Sequence, residues 1–201
     1  MRENVVGAEN VDFSVHCHDD LGMAVANSLA CVKAGATQVE CTVNGIGERA
    51  GSCPLEPLVM SLQCLYGQDT GIKYDELLGL SHEVAARSGK PVPPTKAIVG
   101  NRLFGWETGL PTGYWLKSRE MNPLIMMPYH FSMTGQPAPH IYIGKKSGAA
   151  NVTLVNERLG LAQIEDKDKV KELLHKVKEL SIQVKRDLTD EEYTKLYHEV
   201  V

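Results

Sequence analysis

Two stretches decide how this chain is read: Val15-His16-Cys17-His18-Asp19-Asp20 and, further on, Asn44-Gly45-Ile46-Gly47-Glu48-Arg49-Ala50-Gly51. The first closes a segment, residues 11–16 (VDFSVH), in which apolar and polar residues alternate as in a strand. A helix is expected over 21–34, with Gly35 where a terminating glycine belongs. Residues 38–43 (QVECTV) read as a second strand, and the glycine-rich loop 44–52 leads from it into a helix beginning at Pro54. In that helix Leu55, Leu58, Val59 and Leu62 recur at helical spacing, and a proline in the first turn removes no helical hydrogen bond. Strand, helix, strand and helix with short connections predict an α/β fold with a parallel sheet or barrel.

Beyond this core the pattern changes. A helix over 74–88 ends at Gly89, and Pro91, Pro93 and Pro94 mark a linker. Residues 95–150 are rich in Gly, Pro and aromatics and have weak periodicity; Trp106, Tyr114, Trp115, Met126, Met127 and Tyr129 read as core or subunit interface. From 164 onward the chain is charged and helical, with Val170, Leu173, Leu174, Val177 and Val184 in one apolar stripe. Thr189-Asp190-Glu191-Glu192 is a capping box opening a last helix that buries Tyr193, Leu196, Tyr197 and Val200. The expected divisions are 1–90, 91–140 and 141–201. Two strand–helix units cannot close a barrel, and two parallel strands expose their edges. The expectation is therefore a piece of a longer protein, its sheet completed by strands outside this chain.

Composition narrows the function classes. The 201 residues carry 21 basic and 25 acidic side chains, a net charge of −4, so no basic footprint for nucleic acid is present. No apolar run approaches the ~20 residues of a membrane helix, and the opening MRENVVGAENVDF lacks the apolar segment of a secretory signal. The five cysteines, Cys17, Cys31, Cys41, Cys53 and Cys64, show no CxxC spacing, which argues against a disulfide framework or structural zinc. A reducing cytoplasm is the expected setting.

The chemistry concentrates in the two quoted stretches. Residues two apart on a strand project from one face about 6.6 Å apart along the chain. His16 and His18 can therefore converge on one metal ion; a packed histidine pair is the other reading, since two ligands alone do not hold a metal. Asp19 and Asp20 either orient the imidazoles or cap the next helix. In the loop, three glycines permit close approach of a ligand, but the spacing misses the dinucleotide fingerprint by one residue. A tight strand-to-helix connection is its other reading.

Taken together, HCHDDLGMAVANSLACVKAGATQVECTVNGIGERAG closely resembles the isopropylmalate, homocitrate and citramalate synthase family, related to hydroxymethylglutaryl-CoA lyase. The resemblance continues through PPTKAIVG (93–100) and IGKKSGAANV (143–152) into the helical tail. It implies the C-terminal portion of a TIM (β/α)8 barrel followed by small helical subdomains. It also implies a divalent metal (magnesium, manganese or zinc) held by His16 and His18, and more weakly by Ser52. Asn44, Gly45, Gly47, Glu48 and Arg49 would bind substrate, and Glu56, on the next helix, would be the catalytic carboxylate. The implied reaction is condensation of acetyl-CoA with a 2-oxo acid in amino-acid biosynthesis, by a homodimer whose subdomains reach the neighbouring subunit's site. The early barrel strands that carry an aspartate ligand and an arginine are absent, so the isolated chain is expected to be inactive. No leucine-sensing domain is expected within these residues.

The departures from the family pattern fall at chemically important places. Ser52 stands where the family has the asparagine of GERAGNC. Pro111, in Gly105-Trp106-Glu107-Thr108-Gly109-Leu110-Pro111, stands where AHESGIH supplies a histidine linked to enolisation. Lys146 replaces the histidine of GKHSG, and His130 or His140 would have to substitute. The lyase branch's cysteine has no match, and Cys53 reads as a small buried group at a helix start. A carbon–carbon lyase and a non-catalytic interaction module remain as alternatives.

Overall fold

In the computed structural model, which describes residues 4–201, strand β1 (Ser14–His16) pairs in parallel with β2 (Gln38–Glu40), opposing Ser14 to Gln38, Val15 to Val39 and His16 to Glu40. Met1 to Glu3 of the expected 1–90 segment lie outside the described residues. Parallel neighbours require a crossover, supplied here by α1 (Ala24–Lys33). The helix starts three residues later than expected because residues 19–22 form a turn, with the Gly22 N–H donating to the Asp19 carbonyl at 2.8 Å. Asp19 Oδ1 then accepts from the Ala24 N–H at 2.9 Å, satisfying a first-turn donor.

Both strands are shorter than the alternation suggested. Past their ends the ladder is replaced by Cys53, whose N–H donates to the Cys17 carbonyl and whose carbonyl accepts from the Thr42 N–H, each at 2.9 Å. Helix α2 (Leu55–Tyr66) leaves directly from this crossing. Ala24, Cys53, Leu58 and Leu62 form the buried centre between α1, α2 and the strands, with Cys17, Leu29, Val32, Val39 and Cys41 packed around it. Burial pushes the Cys53 thiol up, which keeps it protonated. Helix α3 (Leu77–Ser88) follows a short 3-10 turn, and its buried Ser81 faces the glycine loop.

The described chain forms two compact units, one running to Leu103 with Ser132–Gln136, the other comprising Phe104–Phe131 and Pro137–Val201. Residues 132–136 join the first unit through Gln136, whose buried amide donates to the carbonyls of Ile98 (3.0 Å) and Gly100 (3.2 Å).

In the second unit β3 (Gly105–Trp106) pairs in parallel with β4 (His140–Ile141). Helices α4 (Gly109–Ser118) and α5 (Ala149–Leu159) lie beside them. The fully buried Asn151 ties this unit together: its Nδ2 reaches the carbonyls of Glu107 (2.9 Å) and Tyr142 (3.2 Å) and its Oδ1 accepts from the Gly148 N–H (3.0 Å). Of the aromatic and methionine cluster, Trp115 and Met127 are buried whereas Tyr114 is exposed. Helix α6 (Lys167–Val184) buries Leu173 and Val177 of its stripe, and the Thr189–Glu192 capping box opens α7 (Asp190–Val200) as expected. Tyr193 and Tyr197 are buried, and the Tyr193 hydroxyl donates to Asn156 Oδ1 at 2.7 Å. Among the described residues no helix is long and apolar enough to cross a membrane, and all five cysteines are free.

Candidate functional site

The strand alternation carries His16 and His18 to one side, where their Nε2 atoms approach to 3.1 Å with the rings at 69°. Glu40, the register partner of His16, places Oε2 at 3.2 Å from His16 Nδ1. A proton on Nδ1 is thereby stabilised and the Nε2 lone pair is directed at His18. His18 is held from the other side, opposite Ser52 in an isolated antiparallel bridge, and its Nδ1 is buried with no partner among the described residues. Ser52 is itself buried.

Of the two roles expected of Asp19 and Asp20, orienting the imidazoles or capping the next helix, these contacts give Asp19 the second and Asp20 neither. Asp19 caps α1, and Asp20 pairs with Arg49, Nε donating to its two carboxylate oxygens at 3.0 and 3.2 Å. The Arg49 guanidinium holds the Asp20 carboxyl below the usual range, and Asp20 raises Arg49 in return. The carboxylate on His16 is Glu40, absent from the expected site. Its signal was present but weak: an acidic residue at the end of the strand expected beside the His-x-His strand.

The glycine loop folds back on itself. Gly51 (φ +98°) donates to the Glu48 carbonyl at 2.8 Å, and a Cβ there would stand 2.0 Å from the Gly45 carbonyl oxygen. A Cβ on Gly47 would lie 2.6 Å from Ser52 Oγ, so the loop backbone lies directly over the residue that faces His18. Asn44, at φ +60°, is clamped three ways: its N–H donates to Glu56 Oε1 at 2.7 Å, its Nδ2 to the Ser81 carbonyl at 2.9 Å, and its Oδ1 accepts from Ser81 Oγ at 2.5 Å. Glu56 is fully buried and its Oε2 has no partner among the described residues. Its visible work is to hold the start of the loop. Ser81, also fully buried, was not among the expected site residues, and nothing in an amphipathic helix pattern distinguishes it.

The two remaining departures from the family pattern, Lys146 and Pro111, both lie in the second unit. Glu107 Oε1 accepts from the Lys146 N–H at 3.1 Å, and the Gly109 N–H donates to the Lys146 carbonyl at 3.1 Å. Pro111 sits in the first turn of α4, where a proline is readily accommodated.

The HMGL-like family model matches residues 1–84, the segment that holds the parallel strand–helix–strand unit, the imidazole pair and the glycine loop. Over its full length the chain is a relative of the 2-isopropylmalate and homocitrate synthases. It is 39% identical to 2-isopropylmalate synthase 2 of Caldanaerobacter subterraneus, with 100% of this chain and 50% of that protein aligned. It is 40% identical to homocitrate synthase 1 of a Nostoc species, covering 97% of this chain and 50% of that protein. For the 2-isopropylmalate synthase of Geobacillus stearothermophilus the identity is 38%, covering 99% and 38%. The chain thus spans half or less of the length of these curated relatives.

Proposed function

We propose that this chain is the C-terminal part of the barrel, with the helical subdomains, of a divalent-metal-dependent acyltransferase that condenses acetyl-CoA with a 2-oxo acid. The observation that carries the reading is the 3.1 Å separation of His16 Nε2 and His18 Nε2. Two imidazoles bound to one ion at about 2.1 Å and at tetrahedral or octahedral angles have their nitrogens roughly 3.0–3.4 Å apart. The separation of the pair matches such an ion, and Glu40 supplies the outer hydrogen bond that metal-bound histidines require. Ser52, opposite His18, is a further, weaker donor. Among the described residues no group of three His, Cys, Asp or Glu side chains is placed to hold a metal ion, so the remaining ligand belongs to the rest of the barrel.

When bound, the metal supplies Lewis acidity toward the keto and carboxylate oxygens of the 2-oxo acid. The chain's own residues do the positioning. Glu40 fixes the His16 tautomer. Asn44, Gly45, Gly47, Glu48 and Arg49 bring backbone close to the substrate, and Arg49 is held in place by Asp20. Glu56 is the candidate catalytic carboxylate, with one oxygen committed to the Asn44 N–H. The working enzyme is a cytoplasmic homodimer with a complete barrel, and the isolated chain is inactive because its metal site is incomplete.

The test is release of free CoA from acetyl-CoA with a panel of 2-oxo acids, using the complete enzyme. Condensation that disappears in His16→Ala and His18→Ala, with the fold retained, is the expected result. Undiminished turnover in either variant overturns the assignment. Cleavage of a hydroxy acid without acetyl-CoA, with no condensation, identifies a lyase instead.

A further inference from the structure

We infer that the glycine loop and the proline linker together form a second binding site, for a phosphate group, centred on Lys96. A cavity of about 240 Å³ lies between the loop, from Asn44 to Gly51, and the linker from Lys90 to Lys96. Neither histidine nor Ser52 lines it, and neither does any carboxylate. Three cations do: Arg49, Lys90 and Lys96. Arg49 is committed to Asp20, which leaves the two lysines without an ion-pair partner among the described residues. The Lys96 ammonium comes within 3.8 Å of the position a Cβ on Gly45 would occupy, which places it against the loop backbone.

The turn that carries Lys96 is built rigidly. Ile98 adopts φ +70°, a conformation a β-branched residue rarely takes, and is buried next to the fully buried Val99. Gln136 holds the carbonyls on both sides of Val99, and the Lys96 carbonyl accepts from the Gly100 N–H at 2.9 Å. Backbone strain of this kind persists only where the surroundings over-determine it, and it clusters at ligand sites. Here its outcome is a half-buried lysine fixed beside a glycine backbone.

The chemistry favours phosphate over carboxylate. Planar carboxylates are matched by the fork of a free arginine, and the arginine at this site is occupied. Two ammonium point charges over a glycine-rich backbone suit a compact, multiply charged oxyanion. The volume accommodates one such group and not a whole nucleotide, which would have to extend outward.

The inference goes beyond the proposed condensation and is read by binding alone, with no metal or turnover involved. Pyrophosphate, inorganic phosphate and malonate are titrated separately into the 201-residue chain, following the backbone amide resonances of Gly45, Gly47 and Gly51 by NMR. Saturable shifts with pyrophosphate and phosphate are expected. Lys96→Gln should weaken pyrophosphate binding by about tenfold or more, and the more exposed Lys90→Ala by about threefold, while Lys96→Arg retains binding and Lys117→Ala, at a residue that does not line the cavity, changes nothing. Absence of saturable shifts, shifts unaffected by Lys96→Gln, or malonate binding as tightly as pyrophosphate overturns the assignment.

Discussion

Glu40 Oε2 lies 3.2 Å from His16 Nδ1 because the two residues are register partners in the parallel ladder, so the sheet itself builds the hydrogen bond that orients the imidazole. In the isolated chain, the pair should bind Ni²⁺ or Zn²⁺ weakly, since imidazole nitrogens suit these ions, and Mn²⁺ without tight stoichiometry. Glu40→Ala should weaken Ni²⁺ affinity by about tenfold or more, and His16→Ala should abolish it, with circular dichroism unchanged. Isothermal titration calorimetry measures each. Tight Mn²⁺ binding by the isolated chain that is lost in His16→Ala would show that the site is already complete.

Glu56 has two separable roles to test in the complete enzyme. Its Oε1 holds the Asn44 N–H, and an amide oxygen can do the same. Glu56→Gln should therefore preserve the loop, so a fall in kcat of a hundredfold or more, roughly what removal of a general acid or base costs, would mark a proton-transfer role. If Glu56→Gln keeps kcat and only Glu56→Ala loses it, the carboxylate acts by positioning the loop. The steady-state kcat and KM of the two variants decide.

Gly51→Ala should disrupt the loop, because its Cβ would stand 2.0 Å from the Gly45 carbonyl at a φ of +98°. The expected loss of stability is about 2–3 kcal/mol, unless the loop abandons its present path. Denaturant unfolding reads the first outcome, and altered amide shifts over residues 44–52 read the second.

The α7 capping box predicts a pH dependence. Glu192 accepts from the Thr189 N–H at 2.9 Å and from both ends of the Arg186 guanidinium at 2.8 Å, which depresses its carboxyl to about 2. A depressed carboxylate contributes stability that is present above its unfolded value of about 4.3 and is lost as pH falls toward the folded one. The melting temperature of Glu192→Gln should therefore lie below that of the parent chain at neutral pH, and the difference should close as pH falls through the acidic range. Thr189→Ala, which removes the other half of the box, should cost about 1 kcal/mol at neutral pH. A difference that persists unchanged at pH 2 would contradict the linkage.

How much of this was legible in the sequence depended on the range of the interaction. Helices α1, α2, α3, α6 and α7, the terminating glycines and the capping box at Thr189 were readable because each is set by residues within one or two turns. The 95–150 region was not, since its order comes from long-range contacts such as those of Gln136 with Ile98 and Gly100, and of Asn151 with Glu107, Tyr142 and Gly148, which no periodicity encodes.

The same division runs through the candidate site. Sequence alone determined that His16 and His18 fall on one side of the chain at the end of the first strand and that a glycine loop follows the next strand, because alternation of extended backbone and glycine spacing are local properties. It also carried the resemblance to the isopropylmalate and homocitrate synthases. Only tertiary structure decided which carboxylate serves the imidazoles, giving the role to Glu40 through sheet register and sending Asp20 to Arg49. Tertiary structure likewise brought Ser52 opposite His18, by inserting the Cys53 backbone between the diverging strand ends, and set Lys96 against Gly45 across a linker. These contacts join residues far apart in the chain. Their partners are chosen by backbone hydrogen bonds and packing, which side-chain identity and spacing do not specify.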